Sequence, residues 1–153
     1  MVEHLRDGYY AAAVITYAQG MALLRKASPI YGNQLDPATV ARIWRGGCII
    51  RAVILETIQA AYERDSNLTD LLLDPSLNAL VQIHLPALRE VVRAGVDLGI
   101  PLPGMMAALA HFDAYRSERL PANLIMAQRD YFGAHGYERK DAQGIFHAHW
   151  SGQ

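Results

Sequence analysis

Residues 74–103 read DPSLNALVQIHLPALREVVRAGVDLGIPLP, and no other stretch restricts the fold as tightly. Asp74 stands where a helix N-cap belongs. Pro75 follows at the first helical position, where its missing N–H leaves no hydrogen bond unmade. Leu77, Leu80, Val81, His84, Leu88, Val91 and Val92 then recur at the three-and-four spacing of one helix face. Pro86 lies inside the segment and predicts a kink. Gly99 with Pro101 and Pro103 is the stop signal.

The same grammar repeats along the chain. A first helix is expected over about Leu5–Ala27, with Tyr10, Ala13, Val14, Tyr17, Met21 and Leu24 on one face. Its other faces are also apolar, so it should be buried on most sides, and Gly20 within it reads as a close-packing position. Asp36 and Pro37 restart a helix through LDPATVARIW, and IIRAVILETIQAAYERD gives another with Ile50, Val53, Ile54, Thr57 and Ala61 on one face. GMMAALAHFDAYRSER is the next. Pro121 opens PANLIMAQRDYF, for which Gly133 reads as the left-handed terminator. No alternating strand pattern emerges. The expectation is an all-α domain of about six helices with an extended C-terminal tail. Residues 1–153 read as one domain, a helical body over about 1–134 and a tail over 135–153.

Composition narrows the functional classes. Fourteen Lys+Arg against fifteen Asp+Glu give a formal charge of -1, which argues against a nucleic-acid binder working by bulk charge. Hydrophobic residues at 52% supply a sizeable core. The single cysteine, Cys48, excludes an internal disulfide and suits a reducing compartment. No apolar run reaches the length of a bilayer crossing, and the N-terminus resembles neither a signal peptide nor a membrane span. A cytoplasmic protein without membrane or nucleic-acid partners is expected.

The chemistry is concentrated in QRDYFGAHGYERK, residues 128–140. Arg129 falls near the end of the last helix and His135 just beyond it. A helix C-terminus carries partial negative charge, so an anion held there needs side-chain cations. Arg129 offers a permanently charged two-pronged donor and His135 a second donor. Tyr131, Tyr137 and Arg139 are further candidates. The bland alternative pairs Arg129 with Asp130 or Asp141 and leaves His135 solvated. His147 and His149, with His135 folding back, raise a metal reading, but no cysteine or carboxylate stands at a usual zinc spacing. Phe146 and Trp150 are large apolar groups in a polar tail, and they are expected to dock on this chain or on another copy of it. WRGGCIIR has paired glycines but lacks the Walker spacing. Gly46 and Gly47 read instead as a tight helix meeting, Arg45 and Arg51 as partners of acids, and Cys48 as a small core residue. No G-x-G-x-x-G follows a strand, so no dinucleotide-binding unit is expected in this sequence.

Several of these stretches together resemble one family. YAQGMALLRKAS, VARIWRGGCIIR, GIPLP, RLPANLIMAQRDYFGAHGYER and GIFHAHW are similar, in order, to the C-terminal part of the decarboxylating 6-phosphogluconate dehydrogenases, from about Tyr9 to Gly152. Met126 stands in place of a usual glutamine, Gly136 where threonine is common, and HAHW departs from a threonine-containing tail.

The resemblance implies an all-helical domain that follows an N-terminal Rossmann domain and forms a homodimer whose tails reach into the partner subunit. It implies that Arg129 and His135 bind the phosphate of 6-phosphogluconate in the neighbouring subunit's active site. It implies an NADP-dependent oxidative decarboxylation to ribulose 5-phosphate in the pentose phosphate pathway. The family's nucleotide fingerprint and its catalytic lysine and glutamate fall outside these residues. The chain alone is therefore expected to hold no catalytic residue, bind no cofactor or metal, and be inactive. Two competing readings remain at this point: a structural helical module for self-association, and a metal-binding helical protein using His135, His147 and His149.

Overall fold

A computed structural model describes residues 2–150. Six α-helices follow in order: α1 (Val2–Ile30), α2 (Pro37–Gly47), α3 (Ile54–Arg64), α4 (Pro75–Asp97), α5 (Pro103–Tyr115) and α6 (Ala122–Gly133). A 3-10 turn (Leu71–Leu73) precedes α4, and two short strands, β1 (Tyr137–Glu138) and β2 (Ile145–Phe146), follow α6. The fold is all-α. Its backbone groups into two compact units, Met1–Asp113 and Ala114–Gln153, so α6 groups with the tail and not with the helices before it.

In the first unit α1 packs along α4, α2 packs on α3, and the 3-10 turn closes against α1 and α4. Asp74 caps α4 as expected, its Oδ1 accepting from the N–H groups of Ser76 at 3.0 Å and Leu77 at 3.1 Å. Arg64 holds its other oxygen at 2.6 Å. Asp36 caps α2 through Thr39 N–H at 3.0 Å. Leu77, Val81, Leu85, Leu88 and Val91 form the buried stripe of α4, which runs unbroken through Pro86. Each such side chain contributes about 1.5–3 kcal/mol by leaving water. His84 sits at the edge of that stripe, edge-on to Tyr10 at 5.1 Å.

Several details depart from the sequence expectations, each for a packing reason. α1 extends to Ile30 through Pro29, and Gly32 at φ 68° closes it with Asn33 N–H returning to Ser28 O at 2.8 Å. Its buried face is Gly8, Ala11, Ala12, Val14, Ile15, Ala18 and Met21. The large Tyr10, Tyr17 and Leu24 lie at the margins, because small residues allow the nearest approach to α4. Gly8 is the close-packing glycine. A Cβ there would stand 3.0 Å from Leu88 Cα and 3.1 Å from Leu88 N. At Gly20, by contrast, a Cβ would meet nothing within 4 Å, so packing among the described residues does not explain that glycine.

The segment before α3 also differs. α2 ends at Gly47, Cys48 turns extended, and α3 begins only at Ile54. Ile50 and Val53 therefore fall outside the helix and are exposed, while Leu55, Ile58, Ala61 and Tyr62 make the buried face. Gly46 and Gly47 have open space where a Cβ would be, so they do not mark a tight helix meeting. Arg45 pairs with Glu56 at 2.9 Å as anticipated. Cys48 is half-buried.

Candidate anion-binding turn

The second unit is built on α6 and the hairpin that follows it. β1 and β2 pair antiparallel, Tyr137 opposite Phe146 and Glu138 opposite Ile145. The sequence showed no alternation here because each strand is only two residues long.

Arg129 and Asp130 are adjacent on α6 and point to opposite fates. Arg129 is exposed, and its only hydrogen bond among the described residues is a long one, 3.5 Å from Nη1 to Met126 Sδ. Asp130 is buried, at 1% exposure. Its Oδ1 accepts from Gly136 N–H at 3.0 Å and faces His147 Nδ1 at 2.8 Å. Its Oδ2 accepts from Ala148 N–H at 2.9 Å and Trp150 Nε1–H at 3.0 Å. Burial pushes this carboxyl up, but the bonds from Ala148, His147, Trp150 and Gly136 outweigh it and hold it at about 2. It is an anion at neutral pH, fully surrounded by donors.

The left-handed cap comes one residue after the glycine. Gly133 is still helical, and Ala134 takes the left-handed conformation at φ 49°, ψ 36°, its N–H returning to Asp130 O at 2.9 Å. A left-handed alanine costs about 1–2 kcal/mol. Gly133 serves a different need. A Cβ on it would lie 2.8 Å from His135 Nε2 and 3.1 Å from Cδ2, so the imidazole of His135 rests in the space a side chain would fill. Gly136 follows at φ 72°, and a Cβ there would collide with Ile145 Cγ2. The turn is thus pinned by two backbone N–H groups, Ala134 to the Asp130 carbonyl and Gly136 to its carboxylate, with His135 exposed between them.

The other candidates are engaged elsewhere. Arg139 pairs with Asp141, Nε to Oδ1 at 2.8 Å and Nη2 to Oδ2 at 2.5 Å, and its guanidinium lies 5.4 Å from the Phe146 ring centre. This removes Asp141 as a partner of Arg129, and the tail donors have taken Asp130. Tyr131 meets the Trp150 ring edge-on at 5.6 Å, and Tyr137 faces Phe146 at 6.4 Å. The tail aromatics therefore dock on α6 and the hairpin of their own chain. His147 is turned to Asp130, with His149 at 5.8 Å between ring centres. Among the described residues, no three His, Cys, Asp or Glu side chains gather as metal ligands.

Sequence reasoning treated Asp130 only as a possible partner for Arg129 and missed its role as the centre of the tail. One signal pointed to it. An acid in the last helical turn opposes the helix dipole, and such a local conflict needs a compensating set of donors.

A cleft of about 900 Å³ lies within the same unit between the Ser117–Leu120 segment, α6, β1 and Trp150. Arg129 and His135 do not line it. Arg129 near the end of α6 and His135 on the turn that follows are both exposed: a planar fork of permanent donors and an imidazole, side-chain types that suit a phosphate or carboxylate.

Residues 1–150 match the family described as 6-phosphogluconate dehydrogenase, C-terminal domain. A decarboxylating 6-phosphogluconate dehydrogenase of Staphylococcus epidermidis is 52% identical over 149 residues, which cover 97% of this chain and 32% of that protein. A chloroplastic decarboxylating 6-phosphogluconate dehydrogenase of Spinacia oleracea is 50% identical over 151 residues, covering 99% of the chain and 28% of the relative. The solved 6-phosphogluconate dehydrogenase of Plasmodium falciparum, described in apo form and in complexes with its cofactor NADP+ and its substrate 6-phosphogluconate, superposes with a TM-score of 0.89 at 42% identity. That match covers 97% of this chain and 32% of the other. The chain thus spans about a third of the length of these relatives. Among the described residues, no helix is long and apolar enough to cross a membrane.

Proposed function

The chain belongs to the 6-phosphogluconate dehydrogenase C-terminal domain family, and from that premise we propose that it is the substrate-gripping and dimerisation part of an NADP-dependent decarboxylating 6-phosphogluconate dehydrogenase. Arg129 and His135 bind the phosphate of 6-phosphogluconate in the active site of a neighbouring protomer. The observation that carries this reading is the state of those two side chains. Both are exposed, neither has an acidic partner among the described residues, and the nearby acids Asp130 and Asp141 are taken by other donors. An exposed guanidinium without a counterion, with an imidazole on the turn that follows its helix, favours an anionic ligand.

Self-association is supported by apolar side chains that the protomer leaves in water. Ile49 is fully exposed and Val53 is 72% exposed in the first unit; Leu124 and Phe132 are 74% and 76% exposed in the second. Side chains of this size are costly to leave in water, and a second protomer would cover them.

Among the described residues there is no strand–glycine-turn–helix unit, and no hydride step is assigned to this chain. Its part is positional. It fixes the phosphate end of the substrate so that binding energy from that remote group orients the reacting carbons. The test is a titration of the chain with 6-phosphogluconate followed by its phosphorus resonance. Arg129→Ala and His135→Ala should each weaken binding about fivefold or more, as expected for loss of an exposed charged hydrogen bond. Unchanged binding in both variants would end the phosphate reading.

A further inference from the structure

We infer that Asp130 is the positioning residue of this site: its backbone carbonyl and its carboxylate hold the two N–H groups on either side of His135, and so set the imidazole's place relative to the guanidinium of Arg129. The functional meaning of this inference rests on the phosphate reading above. Its geometry does not.

The argument runs from the bonds. His135 lies in a three-residue turn whose first and last amides both return to residue 130. Ala134 N–H reaches Asp130 O at 2.9 Å and Gly136 N–H reaches Asp130 Oδ1 at 3.0 Å. The first bond closes the helix and any residue could accept it. The second requires a side-chain acceptor of one length at one helical position. Asp130 sits next to Arg129 on a rigid helix, so the turn is referenced to the same backbone that carries the guanidinium. The remaining lone pairs are filled by His147, Ala148 and Trp150. These lock the carboxylate's rotamer, and a locked rotamer is what lets a supporting residue hold its neighbour in place. An asparagine would keep the shape but only one acceptor oxygen, and its NH2 would face donors.

The role is one of placing, not of touching the ligand. The carboxylate carries a charge that would repel a phosphate, yet it is buried and saturated with donors, while Arg129 and His135 are exposed. The acid organises the two donors without meeting their ligand.

The test uses the whole chain and four variants: Asp130→Ala, Asp130→Asn, His147→Ala and His135→Ala. Proton NMR reads the contact between the His135 ring and the Gly133 α-protons, which the resting place of the imidazole predicts. Helical circular dichroism checks that the helices persist. The contact should be present in the native chain and in His147→Ala, reduced in Asp130→Asn and absent in Asp130→Ala. Binding of 6-phosphogluconate in Asp130→Ala should drop to the level of His135→Ala, about fivefold, and combining the two changes should add little, because both remove one interaction. A retained ring contact in Asp130→Ala would overturn the inference. Equal loss in His147→Ala would also overturn it, since the turn would then depend on the tail as a whole. If Asp130→Ala loses the second unit's fold, Asp130→Asn decides by the same contact. If ligand binding ignores Arg129→Ala while the ring contact follows Asp130, the phosphate reading fails and the positioning of His135 by Asp130 stands.

Discussion

Gly133→Ala should separate stability from ligand binding in opposite directions. Gly133 is the last residue of α6, with helical backbone, and alanine is favoured over glycine in a helix by about 0.5–1 kcal/mol. The new Cβ would stand 2.8 Å from His135 Nε2, where ordinary contacts lie at 3.4–4 Å. The atom in the way belongs to an exposed ring on a rotatable stem, so the ring swings aside at little expense and the helix keeps its gain. On the proposed phosphate reading, the displaced imidazole no longer shares an anion with Arg129. The loss is one exposed, screened, charge-assisted hydrogen bond, about 1 kcal/mol or roughly a fivefold weaker dissociation constant. The assay is paired: thermal melting for stability, and titration with 6-phosphogluconate for affinity. The expected result is an unchanged or raised melting temperature together with weaker binding. A lowered melting temperature would show that the turn cannot release the ring, and undiminished affinity would show that the imidazole's seat over Gly133 is irrelevant to the ligand.

Ala134→Gly should stabilise the second unit by about 1 kcal/mol, read by thermal melting, because a left-handed residue loses its Cβ penalty. Gly8→Ala should destabilise by about 1–2 kcal/mol despite its helix-propensity gain, since the Cβ meets α4 backbone that cannot step aside, while Gly20→Ala should stabilise by about 0.5–1 kcal/mol; denaturant midpoints measure both. Acid should release the tail. Asp130 is depressed to about 2 against an unfolded value of about 3.9, so its contribution is complete above about pH 4 and is lost as pH falls toward 2. Trp150 fluorescence should report that step, and Asp130→Asn should abolish it. The chain alone should show no NADP-dependent oxidation of 6-phosphogluconate, checked by absorbance of the reduced nicotinamide.

Much of the helical frame is legible because its signals are local. Asp36–Pro37 and Asp74–Pro75 announce helix starts, and the Asp side chains make the capping bonds. The faces of α1 were harder. Its sequence is apolar around most of the cylinder, so periodicity alone cannot say which stripe meets α4. The answer depended on Gly8 and the alanines, whose value lies in being small opposite another helix. The start of α3 differs for a related reason: Ile50 and Val53 fit the period but stand exposed, because the chain turns extended at Cys48 and α3 begins only at Ile54.

The site shows the limit more sharply. Arg129 and His135 could be picked out as residue types, but the turn that carries His135, pinned to Asp130, could not. A glycine near a helix end ordinarily signals a left-handed cap, and Gly133 reads that way. The chain instead keeps Gly133 helical to seat the imidazole and makes Ala134 carry the strained conformation. Strain accepted by an alanine when a glycine stands beside it is explained only if the glycine is needed more elsewhere. That need is three-dimensional: it arises when Asp130 pulls Gly136 back toward the helix and folds His135 over the preceding turn. The sequence bears the trace of this as two violations of local rules, an acid in the final helical turn and a left-handed alanine after glycine. Both fall within five residues of Arg129.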